Sequence, residues 1–107
     1  MTIKIGITGA TGRMVRMLAE TIFKRDGICQ LTAAIERQES SLNGADMGEL
    51  LGIGVNGTTV GIDLAAAITG VDVVIDFTMP EATLSYAALC ARHSVPMVVG
   101  TTGFTDT

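Results

Sequence analysis

A run of β-branched residues that ends in closely spaced glycines occupies residues 3–14 and constrains the fold more than any other stretch. We expect a β-strand, a tight turn and the start of a helix, because Gly9 and Gly12 can adopt backbone angles that are closed to other residues. The unpaired amides and the positive end of the helix dipole would then point at the turn, which favours a phosphate group. This Gly-x-x-Gly variant of the dinucleotide fingerprint predicts a nucleotide site, with a purely conformational role for the glycines as the alternative.

Composition indicates a single α/β domain and argues against nucleic acid, metal and membrane as partners. The chain has 107 residues, 48% of them hydrophobic and only 4% aromatic, so one aliphatic core is expected. A net charge of −4 without a basic run shows no footprint for nucleic acid. Cys29 and Cys90 lie in apolar segments without metal-ligand spacing, so we expect buried, reduced thiols and no metal site. Charges or glycines interrupt every hydrophobic stretch, and there is no signal sequence, so a cytoplasmic protein is expected.

Three stretches have the pattern of helices. Apolar residues recur at helical spacing in the first, opposite a charged face. The first predicted helix begins near Gly12 and stops at Gly27, its cap; the others are 64–68 with Asp63 as its cap, and 80–93. Residues 78–81, Thr-Met-Pro-Glu, have the Ser/Thr-x-x-Glu form of a capping box, so Thr78 is expected to cap the last helix.

Apolar runs between these helices predict strands at residues 31–36, 58–62, 72–77 and 95–100. Residues 37–57 are rich in glycine and predict a mobile connection, with at most one turn of helix at 46–51. Strands that alternate with helices at short spacing form parallel βαβ units with right-handed crossovers. We therefore expect an α/β fold, a doubly wound parallel sheet of Rossmann type with strand order 3-2-1-4-5, and one dinucleotide-binding domain over residues 1–107.

Ligands of such sheets bind at the carboxyl ends of the strands, near the point where the winding reverses. Glu36 ends the second strand roughly twenty residues beyond the glycine turn, where a carboxylate can accept hydrogen bonds from both hydroxyls of an adenosine ribose. Arg37 beside it can bind a 2′-phosphate in a charge-assisted fork. The pair suggests that both NADH and NADPH are accepted, with a solvated charge at a strand end as the alternative for Glu36.

The ends of the two later strands complete the expected crevice. Phe77 lies where the ring of a cofactor could pass, and a core aromatic explains it equally well. A helix cap alone would explain Thr78. Thr101 and Thr102 have a glycine on either side, which frees amides and hydroxyls for a ligand, with loop-turn chemistry as the alternative.

His93 and Asp76 are not expected to be catalytic. The helix that carries His93 runs back along the sheet, so its end lies at the edge opposite the crevice. Asp76 could orient nearby amides, but no paired base or nucleophile accompanies it. Because these residues form no complete acid–base set, no catalytic residue is assigned.

Four blocks of sequence follow one another in a specific order. They are Gly-Ala-Thr-Gly-Arg-Met at 9–14, Ala-Ala-Ile-Glu-Arg at 33–37, Ile-Asp-Phe-Thr-Met-Pro-Glu at 75–81 and Gly-Thr-Thr-Gly-Phe at 100–104. In these blocks the chain resembles the amino-terminal part of the dihydrodipicolinate reductases, and the resemblance covers practically the whole chain. It implies a cytoplasmic, tetrameric enzyme of the diaminopimelate route to lysine. Such an enzyme reduces 4-hydroxy-tetrahydrodipicolinate to tetrahydrodipicolinate with NADH or NADPH.

The resemblance also assigns roles by position. It implies that the pyrophosphate is held by Gly9, Ala10, Thr11, Gly12, Arg13 and Met14, and that the adenosine ribose and its phosphate are held by Glu36 and Arg37. It further implies that the nicotinamide half is held by Phe77, Thr78, Gly100, Thr101 and Thr102, and that Thr102 also touches the small-molecule substrate. The chain departs from the family at Val15, where many members have another glycine.

The family's catalytic and substrate-binding motif belongs to a second domain, on which its tetramer also depends, and this chain lacks it. We therefore expect the chain to bind a dinucleotide and not to turn over substrate alone. One alternative is another two-domain dehydrogenase, such as aspartate-semialdehyde dehydrogenase, which requires a nucleophilic Cys downstream. The other is a non-catalytic nucleotide or coenzyme A module; the Glu36-Arg37 pair discriminates, because a ribose-binding acid has no evident use in a coenzyme A module.

Overall fold

Five parallel strands form one sheet with helices on both faces. The computed structural model describes residues 2–10, 13–25 and 27–100. In chain order the elements are β1 (Ile3–Thr8), α1 (Arg13–Lys24), β2 (Cys29–Ile35), α2 (Met47–Leu50), β3 (Val60–Gly61), α3 (Leu64–Ala67) with a 3-10 turn (Ile68–Gly70), β4 (Val73–Asp76), α4 (Pro80–Arg92) and β5 (Met97–Val99). The strand order is β3-β2-β1-β4-β5 and every neighbouring pair is parallel, so the predicted doubly wound sheet is confirmed.

Each face of the sheet has its own hydrophobic core, because successive strand residues point to opposite faces. The first core joins the sheet to α1 and includes Ile5, Ile7, Val15, Ala19, Ile22 and Leu31. The second joins it to α3 and α4 and includes Ile35, Leu64, Ile68, Val74 and Cys90. Each fully buried Val, Leu or Ile contributes about 1.5–3 kcal/mol relative to an exposed one. Val15, the position at which the chain departs from the pattern implied by the resemblance, is only 1% exposed and packs within the first core.

Residues 37–57 are built more firmly than the mobile connection that their composition predicts. The carboxylate of Asp46 accepts the backbone N–H groups of Glu49 at 3.1 Å, Asn56 at 2.8 Å and Gly57 at 2.7 Å. The expected turn of helix is confirmed as α2, and Asp46 is its N-cap. A glycine-rich composition does not reveal that one carboxylate accepts three amides from the second half of this segment.

The strand predicted at 58–62 is shorter in the structure, because its first residues pair in another direction. Thr59 forms an antiparallel bridge with Asp46, and the Met47 N–H donates to the Thr58 carbonyl oxygen at 2.8 Å. Only Val60–Gly61 remains to pair in parallel with β2. The segment before α2 thus covers the outer edge of the sheet.

Stability should depend on pH through Asp46. Hydrogen bonding from the Asn56 amide, reinforced by Gly57, Glu49 and Gly48 and opposed by burial, holds the pKa of Asp46 below its ordinary value of 3.8. A carboxyl group with a lowered pKa stabilises the fold above its unfolded value, and this contribution is lost as the pH falls through the folded value.

We therefore expect Asp46→Asn to lower the melting temperature most near neutral pH, with a difference from wild type that shrinks below about pH 4. Thermal unfolding across that range measures it. Asp63→Asn is the matched control, because Asp63 caps α3 through a single amide bond, from Ala66. A deficit of Asp46→Asn that stays constant between pH 7 and pH 3 would contradict this account.

Both cysteines are free, with Cys90 buried and Cys29 half-buried. Burial raises the pKa of the Cys90 thiol, and the negative charge of Asp76 raises it further. Cys90 therefore remains a protonated, unreactive core residue at neutral pH. Within residues 2–10, 13–25 and 27–100, no helix has the length and apolar character that a membrane crossing requires. The same ranges contain no group of three or more His, Cys, Asp or Glu suited to a metal ion.

Candidate functional site

A cleft of about 470 Å³ opens where β1, β2 and β4 end. Its lining residues are Gly9, Glu36, Arg37, Phe77, Thr78, Met79, Glu81, Ala82 and Tyr86. Five of these were predicted from the sequence as site residues, and they come from three separate segments of the chain. They meet because β1 lies between β2 and β4, and the winding of the sheet reverses at that point.

The remaining predicted site residues lie beside this cleft or outside the described part of the chain. Thr11, Gly12, Thr101 and Thr102 lie outside the described residues, and the backbone of Arg13 and Met14 begins α1. Gly100 follows β5, and a Cβ added there would lie 2.6 Å from Cε1 of Phe77. Glycine at this position therefore leaves room for the Phe77 ring.

Phe77 packs against the first core, which is one of the two roles considered for it from the sequence, and it also lines the cleft. Its side chain is half-buried. Its backbone N–H donates to the Thr8 carbonyl oxygen at 3.0 Å, and this bond holds the end of β4 against the end of β1. Phe77 thus forms a rigid apolar wall between the core and the cleft.

Glycine is required at position 9, and the expected conformational reason is confirmed. Its φ is +76°, and a Cβ there would lie 3.0 Å from the carbonyl oxygen of Phe77. The space that a side chain would need at position 9 is filled by neighbouring backbone atoms and is not left open for a phosphate. The amides of Gly9 and Ala10 donate to the Ile35 carbonyl oxygen at 2.8 and 3.2 Å.

These two amides are consequently hydrogen-bonded within the protein, which reduces the number of amides that could donate to a phosphate. A diphosphate in the cleft would depend on amides beyond Ala10, including those of the first turn of α1, which begins at Arg13. The first four amides of an α-helix have no partner inside the helix, and they carry the positive end of its dipole.

Glu36 and Arg37 extend β2 beyond its last residue and line the cleft. The Glu36 N–H donates to the Gly61 carbonyl oxygen at 2.8 Å, which anchors the residue to β3. Its carboxylate accepts the Arg37 backbone N–H at 3.1 Å. The Arg37 side chain is exposed, and among the described lining residues it is the only cation. One acidic and one basic residue, adjacent in sequence, thus line the cleft where β2 ends.

A buried group of hydroxyls around Asp76 was not predicted from the sequence. We call Thr8, Asp76, Thr78 and Thr83 the Asp76 cluster. Asp76 is 0% exposed, and its Oδ1 accepts the hydroxyls of Thr8 at 2.5 Å and Thr78 at 2.6 Å. Its Oδ2 accepts the hydroxyl of Thr83. Asp76 binds these hydroxyls and not the amides that it was expected to orient.

The predicted capping box at residues 78–81 is wrong. Met79 occupies the N-cap position of α4, no side chain caps that end of the helix, and a proline stands in the first turn. Thr78 therefore lies one residue before the N-cap, and its hydroxyl donates to the carboxylate of Asp76, two residues earlier in the chain.

Helix α4 contributes lining residues that sequence reasoning missed, including Ala82 and Tyr86. Their spacing of four residues places them on one face of the helix, and this periodicity is the signal that could have identified them. Burial raises the pKa of Tyr86, and the negative charges of Asp76 and Glu36 raise it further. The phenol therefore keeps its proton at neutral pH. His93 is exposed at the other end of α4, away from the cleft.

A doubly wound parallel sheet with a cleft at its switch point defines a nucleotide-binding domain of the Rossmann type. A family model described as "Dihydrodipicolinate reductase, N-terminus" matches residues 3–107, and the chain belongs to this family.

Two solved structures are similar to the chain. A dipicolinate-bound dihydrodipicolinate reductase from Paenisporosarcina sp. TG-14 is 25% identical with a TM-score of 0.65, and the match covers 99% of this chain and 40% of that one. An aspartate semialdehyde dehydrogenase II from Vibrio cholerae, complexed with ASA, is 17% identical with a TM-score of 0.68, over 97% of this chain and 32% of that one. The second likeness concerns the fold alone. The chain thus spans two fifths or less of the length of these proteins, and its family is one of oxidoreductases.

Proposed function

We propose that this chain is the cofactor-binding part of an enzyme that reduces 4-hydroxy-tetrahydrodipicolinate to tetrahydrodipicolinate with NADH or NADPH, in the biosynthesis of diaminopimelate and lysine. One observation carries the proposal. Residues from three strand ends, Gly9, Glu36 with Arg37, and Phe77 with Thr78, line one cleft in a domain of the dihydrodipicolinate reductase family. The similar reductase bound to dipicolinate supports a cyclic dicarboxylate as the substrate class.

In this proposal the dinucleotide crosses the cleft from β2 to β4 and β5. Glu36 accepts the hydroxyls of the adenosine ribose, and Arg37 binds the additional phosphate of NADPH. The second half of the glycine turn, Thr11 to Met14, holds the diphosphate. The nicotinamide half lies against Phe77, Thr78, Gly100, Thr101 and Thr102, with Thr102 also touching the substrate. The bound coenzyme supplies a hydride, and the residues of this chain orient it.

We propose that the chain alone does not turn over substrate. Hydride transfer to a ring carbon requires a proton donor and a clamp for the two substrate carboxylates. Among the described lining residues, Arg37 is the only cation, whereas Glu36 and Glu81 are acidic. The whole enzyme would obtain the clamp from a further domain, and we propose that it works as a cytoplasmic homotetramer.

Calorimetric titration of the chain with NADH, NADPH and coenzyme A tests this function. We expect both dinucleotides to bind with one site per chain and coenzyme A to bind far more weakly, because coenzyme A has no ribose 2′,3′-diol for Glu36. Addition of substrate with NADH should give no oxidation of the coenzyme. Coenzyme A binding as tight as that of NADH, or turnover by the chain alone, would contradict the proposal.

A further inference from the structure

Thr78 links the buried Asp76 cluster to the cleft. Thr8 is 0% exposed and Thr83 is 4% exposed, and neither lines the cleft. Thr78 is half-buried and lines it. Of the three hydroxyls bonded to Asp76, that of Thr78 is therefore the one that belongs to a lining residue of the cleft.

The hydrogen-bond geometry fixes where the hydroxyl protons of the cluster lie. The two carboxyl oxygens of Asp76 accept in all three hydrogen bonds, so each threonine hydroxyl gives its single proton to Asp76. The Thr78 proton points at Oδ1, 2.6 Å away, and the Thr83 proton points at Oδ2. The Thr78 and Thr83 oxygens are 3.2 Å apart, but neither has a second proton to donate to the other. The Thr78 oxygen therefore has only lone pairs left for a ligand.

We propose that Asp76 is a positioning residue that makes Thr78 an obligate hydrogen-bond acceptor, so that Thr78 selects a ligand with an N–H or O–H donor at this place. The inference rests on the proposed function, in which the donor is the carboxamide NH₂ of the nicotinamide ring. A carboxamide presents an NH₂ donor on one side and a carbonyl acceptor on the other. A fixed acceptor pairs with the NH₂ side only, and so it orients the ring.

Reduced 3-acetylpyridine adenine dinucleotide is the probe for this role, because it keeps the carbonyl of NADH and replaces the NH₂ with a methyl group. ADP-ribose, which lacks the ring, reports on the rest of the site. We expect the wild-type chain to bind NADH about fivefold more tightly than the analogue, because this factor corresponds to one neutral hydrogen bond. Dissociation constants from calorimetry give this preference as a ratio, which a general loss of stability would not change.

Four variants separate the role of Asp76 from a structural one. Thr78→Val should abolish the preference, and Thr78→Ser should restore it. Asp76→Asn should also abolish it, because its amide can donate to the Thr78 oxygen and release the hydroxyl proton towards the cleft. Thr83→Val is the matched control: it removes another hydroxyl from the same carboxylate, away from the cleft, and should lower the melting temperature while the preference remains.

The outcomes distinguish this inference from the proposed function. If NADH and ADP-ribose both bind but the wild type shows no preference, or if Thr78→Val or Asp76→Asn keeps it, the role of Asp76 is overturned and the function stands. Loss of the preference in Thr83→Val would also overturn it. If neither NADH nor ADP-ribose binds, the proposed function fails together with this inference. Should Asp76→Asn not fold, the comparison of Thr78→Val with Thr78→Ser decides.

Discussion

Replacing Asp76 with alanine is expected to lower the free energy of unfolding by about 3 kcal/mol, since three hydroxyls lose a charged acceptor in a buried site. These hydroxyls belong to β1, to α4 and to the segment between β4 and α4, so Asp76 joins parts of the chain that are far apart in sequence. For a domain of this size the melting temperature should fall by roughly 12 °C or more. Thermal and urea unfolding of the two proteins measure the effect.

Single threonine variants are the controls for this prediction. Thr8→Val and Thr83→Val each remove one bond to the carboxylate, and each should cost about 1 kcal/mol, well below the cost of Asp76→Ala. Asp76→Asn keeps one oxygen that accepts hydrogen bonds, so its loss of stability should lie between that of the valine variants and that of Asp76→Ala. If Asp76→Ala were no less stable than either valine variant, the carboxylate would not organise this region as described.

Replacing Glu36 with alanine is expected to weaken NADH binding at least about tenfold, because the variant loses the hydrogen bonds between a charged carboxylate and the ribose hydroxyls. The affinity for NADPH should fall less, because its 2′-hydroxyl is replaced by a phosphate that the carboxylate repels. The selectivity of the chain therefore shifts towards NADPH. Calorimetric titration of the variant with both coenzymes measures the shift.

Arg37→Ala should produce the opposite change, with NADPH binding weakened more than NADH binding, because the guanidinium is the cation available to the 2′-phosphate. Glu81→Ala is a matched control, since it removes another carboxylate that lines the same cleft. We expect it to leave the ratio of the two affinities near that of wild type. A Glu36→Ala variant that loses no NADH affinity relative to NADPH would argue against the ribose contact.

The strand order and the position of the cleft could be predicted from the sequence because both follow from local patterns. The alternation of apolar runs and amphipathic stretches fixes a parallel, doubly wound sheet, and the carboxyl ends of its strands must then meet at one edge. The same reasoning predicted that Gly9, Glu36 and Phe77, which come from three different strand ends, lie close together, and in the structure they line one cleft. Val15 could likewise be placed on the buried face of α1 from its spacing alone.

The errors arose where a polar group has a partner that the local sequence pattern does not indicate. Thr78 has the sequence context of a helix cap, yet its hydroxyl bonds Asp76, which also gathers Thr8 from a strand 68 residues away. Asp46 likewise holds amides ten and eleven residues further along the chain. Local propensity does not contain such pairings. The amides of Gly9 and Ala10 were expected to face a phosphate. They donate instead to the Ile35 carbonyl oxygen, and no local pattern indicates this bond.

The central claim is that the cleft at the ends of β1, β2 and β4 binds a nicotinamide dinucleotide, and amide NMR of the chain titrated with NADH tests it most directly. We predict that the resonances of Glu36, Thr78 and Tyr86 shift in a saturable way, while those of Lys4 and Asp72, which are bonded to each other at the opposite edge of the sheet, stay in place. Saturable shifts confined to that opposite edge, or no shifts at millimolar NADH, would contradict the account.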